Sequence, residues 1–540
     1  NSLDTEHGVF PFDSININTV ERIEIISGGG AVVYGSGTSG GVINIITKNG
    51  FSSDKKISGT IGTEIGSYNS YTYKGNVIGQ VTDNLQIGLD YLHGNSDNYR
   101  EGSEYDKDNY GISLNYKIDN NQKINFKYTK YTNDYSSPAV LTQAQLDKDR
   151  DGASTSETDY QADKDSYSLV YDYNMKDNLK FNLLSSYYNS VSESSTSTSI
   201  TNFDESKIAF KPKLNYEYSK GTLTAGYDYT FNNIVRDTKL GNGAFYDISK
   251  MTNSVFLNNR YNMNKLELIT GYRYEKSDYE MKDQKYGTKT PSDMDKTSSN
   301  SAYSMGLNYL YSDSGKLYGK FESGYTFPDP RQYINLTNGE GELNNLQDEE
   351  FMTYEIGFQD YIINSLVKGA VYYTEKENEI RKEGSSLNAK FYNIDASKRI
   401  GGELSISQNI KKLELSESIA YVDAKVTEGT YEGKRIPYVS KITSSINATY
   451  TFNEKVDLSG NITYRDKYYV DASNLSGLVN DKFVTDIKVN YSIDSNWKTY
   501  AGINNLFNAD YYNTINYRSG AYTYDPASER NYFIGFNYSF

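Results

Sequence analysis

From Asn531 to its last residue the chain alternates without interruption. Tyr532, Ile534, Phe536, Tyr538 and Phe540 share one parity; Asn531, Phe533, Gly535, Asn537 and Ser539 share the other. A two-residue period with one apolar and one mostly small or polar face suits a strand lying between lipid and a wet lumen. As the end of the chain, this strand must pair back onto another strand or leave an edge exposed. In a bilayer only a closed sheet satisfies every backbone group, so the ending points to a barrel.

Composition agrees. The chain carries 55 Tyr and 21 Phe yet has a mean hydropathy of −0.70. No stretch approaches the roughly 20 apolar residues of a membrane helix. A membrane barrel reconciles the two, because every second residue faces water and only a band of each strand meets lipid. A net charge of −15 argues against a nucleic-acid partner, which normally requires a basic surface. The absence of Cys excludes a disulfide scaffold and cysteine metal sites, and eight Pro in 540 residues suit long uninterrupted strands.

Alternating runs recur from about residue 55 onward. Short turn-forming clusters fall at 82–84, 119–121, 176–178, 219–221, 262–264, 313–315, 362–364, 410–412, 453–455 and 494–496. Most carry the Asn, Asp or Gly of tight hairpins. Longer polar connectors are read at 131–165, 275–300, 327–350 and 466–482, and this asymmetry of short turns and long loops is that of an outer-membrane barrel. Ten short turns pair twenty strands, and the entering and final strands bring the expected total to 22. The fold class expected is therefore all-β, a 22-stranded antiparallel transmembrane barrel. Its lumen is too wide to be filled by its own side chains and needs a plug. A soluble propeller or solenoid is disfavoured by irregular spacing and the lack of a blade motif.

Residues 20–48 read VERIEIISGGGAVVYGSGTSGGVINIITK and differ from the rest. Two short apolar strands flank a Gly-rich link; with no GK[ST] ending and no helix pattern after it, a phosphate cradle is not supported. This segment resembles the end of the plug domain in TonB-dependent outer-membrane receptors, with Gly35, Gly40, Gly41 and Asn44 in the matching positions. SGYTFPDPRQY (323–333), NNLQDEEFMTYEIGF (344–358), YNIDASKRIGGELSIS (392–407) and AGINNLFNADYY (501–512) are similar to further stretches of the family, in the family's order. Where the plug usually has the Arg and Pro of an IRGP stretch, this chain has Ser27 and Gly29.

The resemblance implies a division into the C-terminal part of a plug (1–49), seated in the lumen, and a barrel (50–540). It also implies further plug residues ahead of Asn1, including the segment contacted by TonB. The implied function is import of a scarce nutrient complex, most often a ferric siderophore, with cobalamin or another chelate as alternatives. The implied partners are that ligand, the TonB–ExbB–ExbD energising complex, lipopolysaccharide and lipid, and the barrel-assembly machinery, which reads the ending at Phe540. Arg22 would pair with the barrel carboxylates Glu355 and Glu403 and hold the plug. A passive porin or adhesin is the reading if no upstream segment exists.

Other candidates come from the residues themselves. Asp147, Asp149 and Asp151, followed by Gly152, have the opening spacing of a calcium loop, although position twelve is Thr158 with Glu157 one residue early. No cofactor is required by the fold; structural calcium is the one expectation. The only histidines are His7 and His93. A barrel hydrolase would need a His with an orienting partner facing a Ser, and His93 precedes Gly94-Asn95-Ser96; no catalytic residue is assigned. The resemblance implies an axial His in 327–350 for haem-uptake members of the family; no His occupies that stretch here, which disfavours haem. Tyr131, Tyr135, Tyr160, Tyr333, Tyr511 and Tyr512 are candidates for stacking on an aromatic chelate, or for interfacial girdles.

Overall fold

Alternation of this kind leaves backbone donors and acceptors pointing sideways along each strand, and they are satisfied only when the sheet meets itself. In the computed structural model it does. Twenty-two antiparallel strands form one closed barrel, each paired with its sequence neighbour in the barrel, and the last returning to the first. Residues 15, 17–26, 30–47, 56–153, 157–240, 243–291, 293–338, 340–384, 388–518 and 520–540 are described. His7, Ser27, Gly28, Gly29 and Lys48 lie outside them.

The final strand Asn531–Ser539 pairs with Trp497–Asn504 on one side and with Ile57–Gly66, the first barrel strand, on the other. At this seam the Phe540 amide donates to the Gly59 carbonyl at 3.0 Å, and the Gly59 amide returns the bond at 3.2 Å. The apolar parity of the sequence faces outward: Leu89, Ile112, Ile208, Val255, Leu307, Ile356, Val371, Ile419, Val489 and Ile534 are all exposed. The other parity faces the lumen. There, rings lie over glycines of the adjacent strand, as Tyr318 over Gly357, Tyr372 over Gly401 and Tyr500 over Gly535. A Cβ at Gly357 would stand 2.4 Å from the Tyr318 ring, so glycine is required where the ring crosses.

All ten short turns occur where the sequence places them. The turn at 362–364 uses Ile363 at φ 48° and Asn364 at φ 62°. Positive φ at both central residues matches the right-handed twist of the flanking strands, so hairpin geometry overrides the poor fit of a β-branched residue.

Two of the four long connectors, 131–165 and 275–300, are shorter than expected, whereas 327–350 and 466–482 lie between barrel strands as expected. Gln122–Pro138 and Glu157–Lys176 carry the pairing through about half of 131–165, and Leu266–Lys285 and Met294–Leu310 through most of 275–300. A strand needs only about 9–11 residues to cross a bilayer. The excess rises above the lipid, where both faces are wet and the apolar alternation that marks a strand disappears. The connector 327–350 instead turns inward as a 3₁₀ turn, Pro330–Tyr333, and a hairpin, Ile334–Thr337 with Glu340–Leu343. Tyr333, Ile334, Leu336 and Leu346 bury against Tyr246, Ile248, Met281 and Tyr286 of the wall.

The plug segment consists of two antiparallel strands, Val20–Ile26 and Val42–Thr47, joined through a one-turn helix, Ala31–Tyr34. The helix is packed on the lumen face of the wall.

Candidate functional site

Two regions of the lumen combine built geometry with chemistry: the contact that holds the plug segment, and a cavity at the long-loop end.

At the first, Gly30 takes φ +118°, and its amide and that of Ala31 both donate to Glu322 Oε1, at 2.5 and 2.7 Å. These are helix-start amides, which lack partners within the helix. Glu322 is itself buried, with Lys320 3.1 Å from its second oxygen. Around it Ala31 and Val32 pack with Tyr279, Ala302, Tyr325, Phe327 and Phe351. Ala31 sits on Gly324 and Val32 on Gly271, where added Cβ atoms would stand 2.7 and 2.9 Å from the plug side chains.

One turn further, Gly35 at φ +83° lies over a buried charge network. Arg273 donates to Asp228 and to Glu275, each at 2.8 Å, and to the Ser254 hydroxyl. A Cβ at Gly35 would be 2.7 Å from Glu275 and 3.1 Å from the guanidinium. The Gly37 amide donates to the Tyr325 carbonyl at 3.1 Å, and Ser36 Oγ accepts from the Phe327 amide at 2.9 Å.

The expected pairing of Arg22 with Glu355 and Glu403 is corrected. Arg22 is exposed and bonds to its own strand's neighbours, Glu24 at 2.9 Å and Glu21 at 3.2 Å. Glu355 accepts from Tyr318 at 2.8 Å, and Glu403 is an exposed position on its strand. A surface arginine already paired with carboxylates one and two residues away has no reason to cross a lumen. Of the three motif glycines expected from the sequence, Gly35 and Gly41 hold positive φ, as Gly30 and Gly37 also do, whereas nothing lies within 4 Å of a Cβ at Gly40. Asn44 donates to Glu24 across the two-stranded sheet at 3.1 Å. Glu322, Arg273, Glu275 and Asp228 were not legible as contacts: a wet lumen tolerates charge at many inward positions. The alternation Lys320, Glu322, Gly324, next to the SGYTFPDP stretch, was the available signal.

The second region is a cavity of about 960 Å³ in the lumen. Its wall is the inward parity of successive strands: Tyr105 and Lys107, then Tyr131, Asn133 and Tyr135, then Tyr160, Ala162 and Lys164, then Tyr188 and Ser190, then Phe203 and Glu205. Tyr135 stacks on Tyr160 at 4.7 Å, and Lys107 and Lys164 lie over the Tyr105 and Tyr131 rings at 4.8 and 5.6 Å. Arg100, almost fully buried, closes one side by binding Asp525 at 3.1 Å and the carbonyls of Ala139 and Gly152. Three of the six tyrosines singled out by sequence, Tyr131, Tyr135 and Tyr160, therefore meet in this cavity. Tyr333 is buried in the inward loop, and Tyr512 packs on Tyr524 in a small sheet with 521–526 and 141–142. Tyr511 lies beside Lys482, 4.1 Å from its ammonium. Tyr272 and Tyr274, by contrast, are exposed on the outer face of the wall.

Asp147, Asp149 and Asp151 of the expected calcium loop do not bring three ligating side chains together in this structure. Asp147 sits on the helix Gln143–Lys148 and accepts from Gln143 at 2.7 Å. Contact with Asp149, together with burial, pushes the Asp151 carboxyl above its usual range. Among the described residues, the only group of three or more ligating side chains whose donor atoms lie within 4.8 Å of one another is His93, Asp106 and Asp108. His93 faces outward beside those carboxylates, which gives no hydrolase arrangement.

Comparison with known proteins agrees with this architecture. The family described as "TonB dependent receptor-like, beta-barrel" matches residues 34–506, and the "TonB-dependent Receptor Plug Domain" matches 1–42. The probable TonB-dependent siderophore receptor PiuA of Acinetobacter baumannii is 24% identical over 234 residues, 39% of this chain and only 30% of that receptor's length. The vitamin B12 transporter BtuB of Photobacterium profundum is 23% identical over 559 residues, 99% of this chain and 82% of the relative. The ferric yersiniabactin uptake receptor FyuA of Yersinia pestis superposes with a TM-score of 0.85 at 15% identity, covering 96% of this chain and 85% of that one.

Proposed function

The chain belongs to the TonB-dependent outer-membrane receptors, a family of transporters and not of enzymes, and we propose that it imports a ferric siderophore. The observation that carries this reading is the 960 Å³ lumenal cavity walled by tyrosines with lysines laid over two of them. Ligand sites of roughly 300–1,000 Å³ bury most of a small molecule. Tyrosine faces present flat, weakly polar surface to an aromatic chelate, and the ammonium groups suit its anionic oxygens. Cobalamin is the second reading, supported by the near full-length similarity to a vitamin B12 transporter.

In this reading the ligand settles in the cavity, and the plug segment below it stays latched to Glu322. An energised TonB–ExbB–ExbD complex then pulls the plug, breaking two backbone-to-carboxylate bonds instead of a set of side-chain ion pairs. The division into plug (1–49) and barrel (50–540), and recognition of Phe540 by the assembly machinery, belong to the same proposal.

Calorimetry of the purified receptor with a ferric catecholate and with cobalamin, beside growth of a deletion strain on each as sole iron or cobalamin source, tests it. Saturable binding of the iron chelate, weakened about tenfold or more by Tyr131→Ala or Tyr160→Ala, is the expected result; an aromatic contact supplies about 1–3 kcal/mol when a flat ligand stacks on it. Binding of cobalamin alone would select the second reading.

A further inference from the structure

We propose that His93, Asp106 and Asp108 form a binding site for a borderline divalent cation, such as Zn²⁺, on the outer wall of the barrel at its long-loop end. The inference does not depend on which nutrient the receptor carries.

The three residues come from two paired strands, Leu85–Ser96 and Tyr105–Lys117. His93 stands directly opposite Asp108, and Asp106 opposite Asn95, so all three share the outward parity of the exposed Leu89 and Tyr91. His93 Nδ1 lies 3.1 Å from Asp108 Oδ1 and 3.9 Å from Asp106 Oδ1. Two ligands each about 2.1 Å from one Zn²⁺ stand about 3–3.5 Å apart, so the donor atoms are close to a coordinating arrangement.

Two further features separate this cluster from an ordinary ion pair. First, its members are held from behind. Tyr91 donates to Asp108 at 2.8 Å, Asn95 donates to Asp106 at 3.1 Å, and the rings of Tyr71 and Tyr73 flank the imidazole at 5.6 and 6.3 Å. Outer partners of this kind orient metal ligands. Second, its charge is not balanced as it is elsewhere on the rim. Asp163 and Asp165 share Lys130, and Asp278 has Lys276. Among the described residues the only ion-pair partner of Asp106 and Asp108 is His93. Two carboxylates and one imidazole match the charge of a divalent ion, and the imidazole nitrogen favours zinc-like cations over calcium or magnesium. Coordination positions left open by three protein ligands point away from the barrel.

The test is a Zn²⁺ titration of the purified, chelator-stripped receptor by calorimetry, with heat-modifiable gel mobility used to verify that each variant is folded. One saturable Zn²⁺ site is expected, lost in His93→Ala and in the double variant Asp106→Asn/Asp108→Asn. It should be retained in His7→Ala, and weakened about 10–100-fold in Tyr91→Phe. Equimolar Ca²⁺ should fail to displace it. No saturable binding, binding unchanged in folded His93→Ala, loss in His7→Ala, or preference for Ca²⁺ would each overturn the proposal.

Discussion

The two halves of the plug segment meet the barrel in opposite ways. Its sheet, Val20–Ile26 with Val42–Thr47, keeps Arg22 in exposed pairs with its own neighbours and leaves Ile25 73% exposed. Its one-turn helix buries Ala31 and Val32 completely or nearly so and gives two amides to a carboxylate on the wall. Anchorage therefore lies where the segment carries no charge at all. Main-chain amides cannot be rearranged without moving the chain, whereas a long exposed side chain pays entropy to stay in one pair and is screened by salt.

The contrast can be broken at its strongest point first. Arg273→Met removes the cation from Asp228 and Glu275 and leaves two buried carboxylates uncompensated, a loss of about 3–5 kcal/mol. A lowered denaturant midpoint of the refolded barrel should report it. Glu322→Ala should cost at least about 3 kcal/mol locally, because two hydrogen bonds to a charged group are lost at about 1.5–3 kcal/mol each. Its effect should be confined to faster hydrogen exchange at the Gly30 and Ala31 amides, with the barrel midpoint little changed. Gly35→Ala forces a side chain into a left-handed position at φ +83° and against Glu275. A cost of about 1–2 kcal/mol is expected, read as easier proteolysis of residues 30–47.

A half-buried version of the same device, in a loop, sharpens the comparison. Asp471, in the loop after the strand Val456–Arg465, accepts from the Leu475 and Ser476 amides, both at 2.9 Å, and from Ser473. Burial alone would raise its pKa, but these donors hold the carboxyl down to about 2. A depressed carboxylate stabilises the folded loop above its ordinary titration range, and the contribution is lost as pH falls through about 2. A carboxyl-carbon NMR titration should place its midpoint below that of free aspartate. The smallest effect belongs to Arg22→Ala, for which plug exchange rates and the melting midpoint should match the parent protein. A marked change there would restore the side-chain pairing this structure replaces.

Legibility followed the same division. The strand number, the ten turns and the outward apolar parity were readable because period and turn chemistry are local properties. The extent of the strands above the membrane was not, since there both faces are wet and Tyr160 or Asp163 looks the same in a loop as in a ladder. Arg22 was conspicuous in its motif but sits apart from the barrel carboxylates, while Glu322 carried no mark of its own among the lumen charges. Tyr131 could equally have faced lipid; one register position decided that it faces the cavity.

What the amino-acid order determined by itself is the closed 22-stranded sheet, because alternation and tight turns in a bilayer leave the backbone no other way to satisfy its hydrogen bonds. Only the tertiary structure decided which inward side chains meet. Closing the ring sets residues far apart in sequence, such as Gly30 and Glu322, or Arg100 and Asp525, within bonding distance. Those pairings depend on stagger and curvature, which no local pattern encodes.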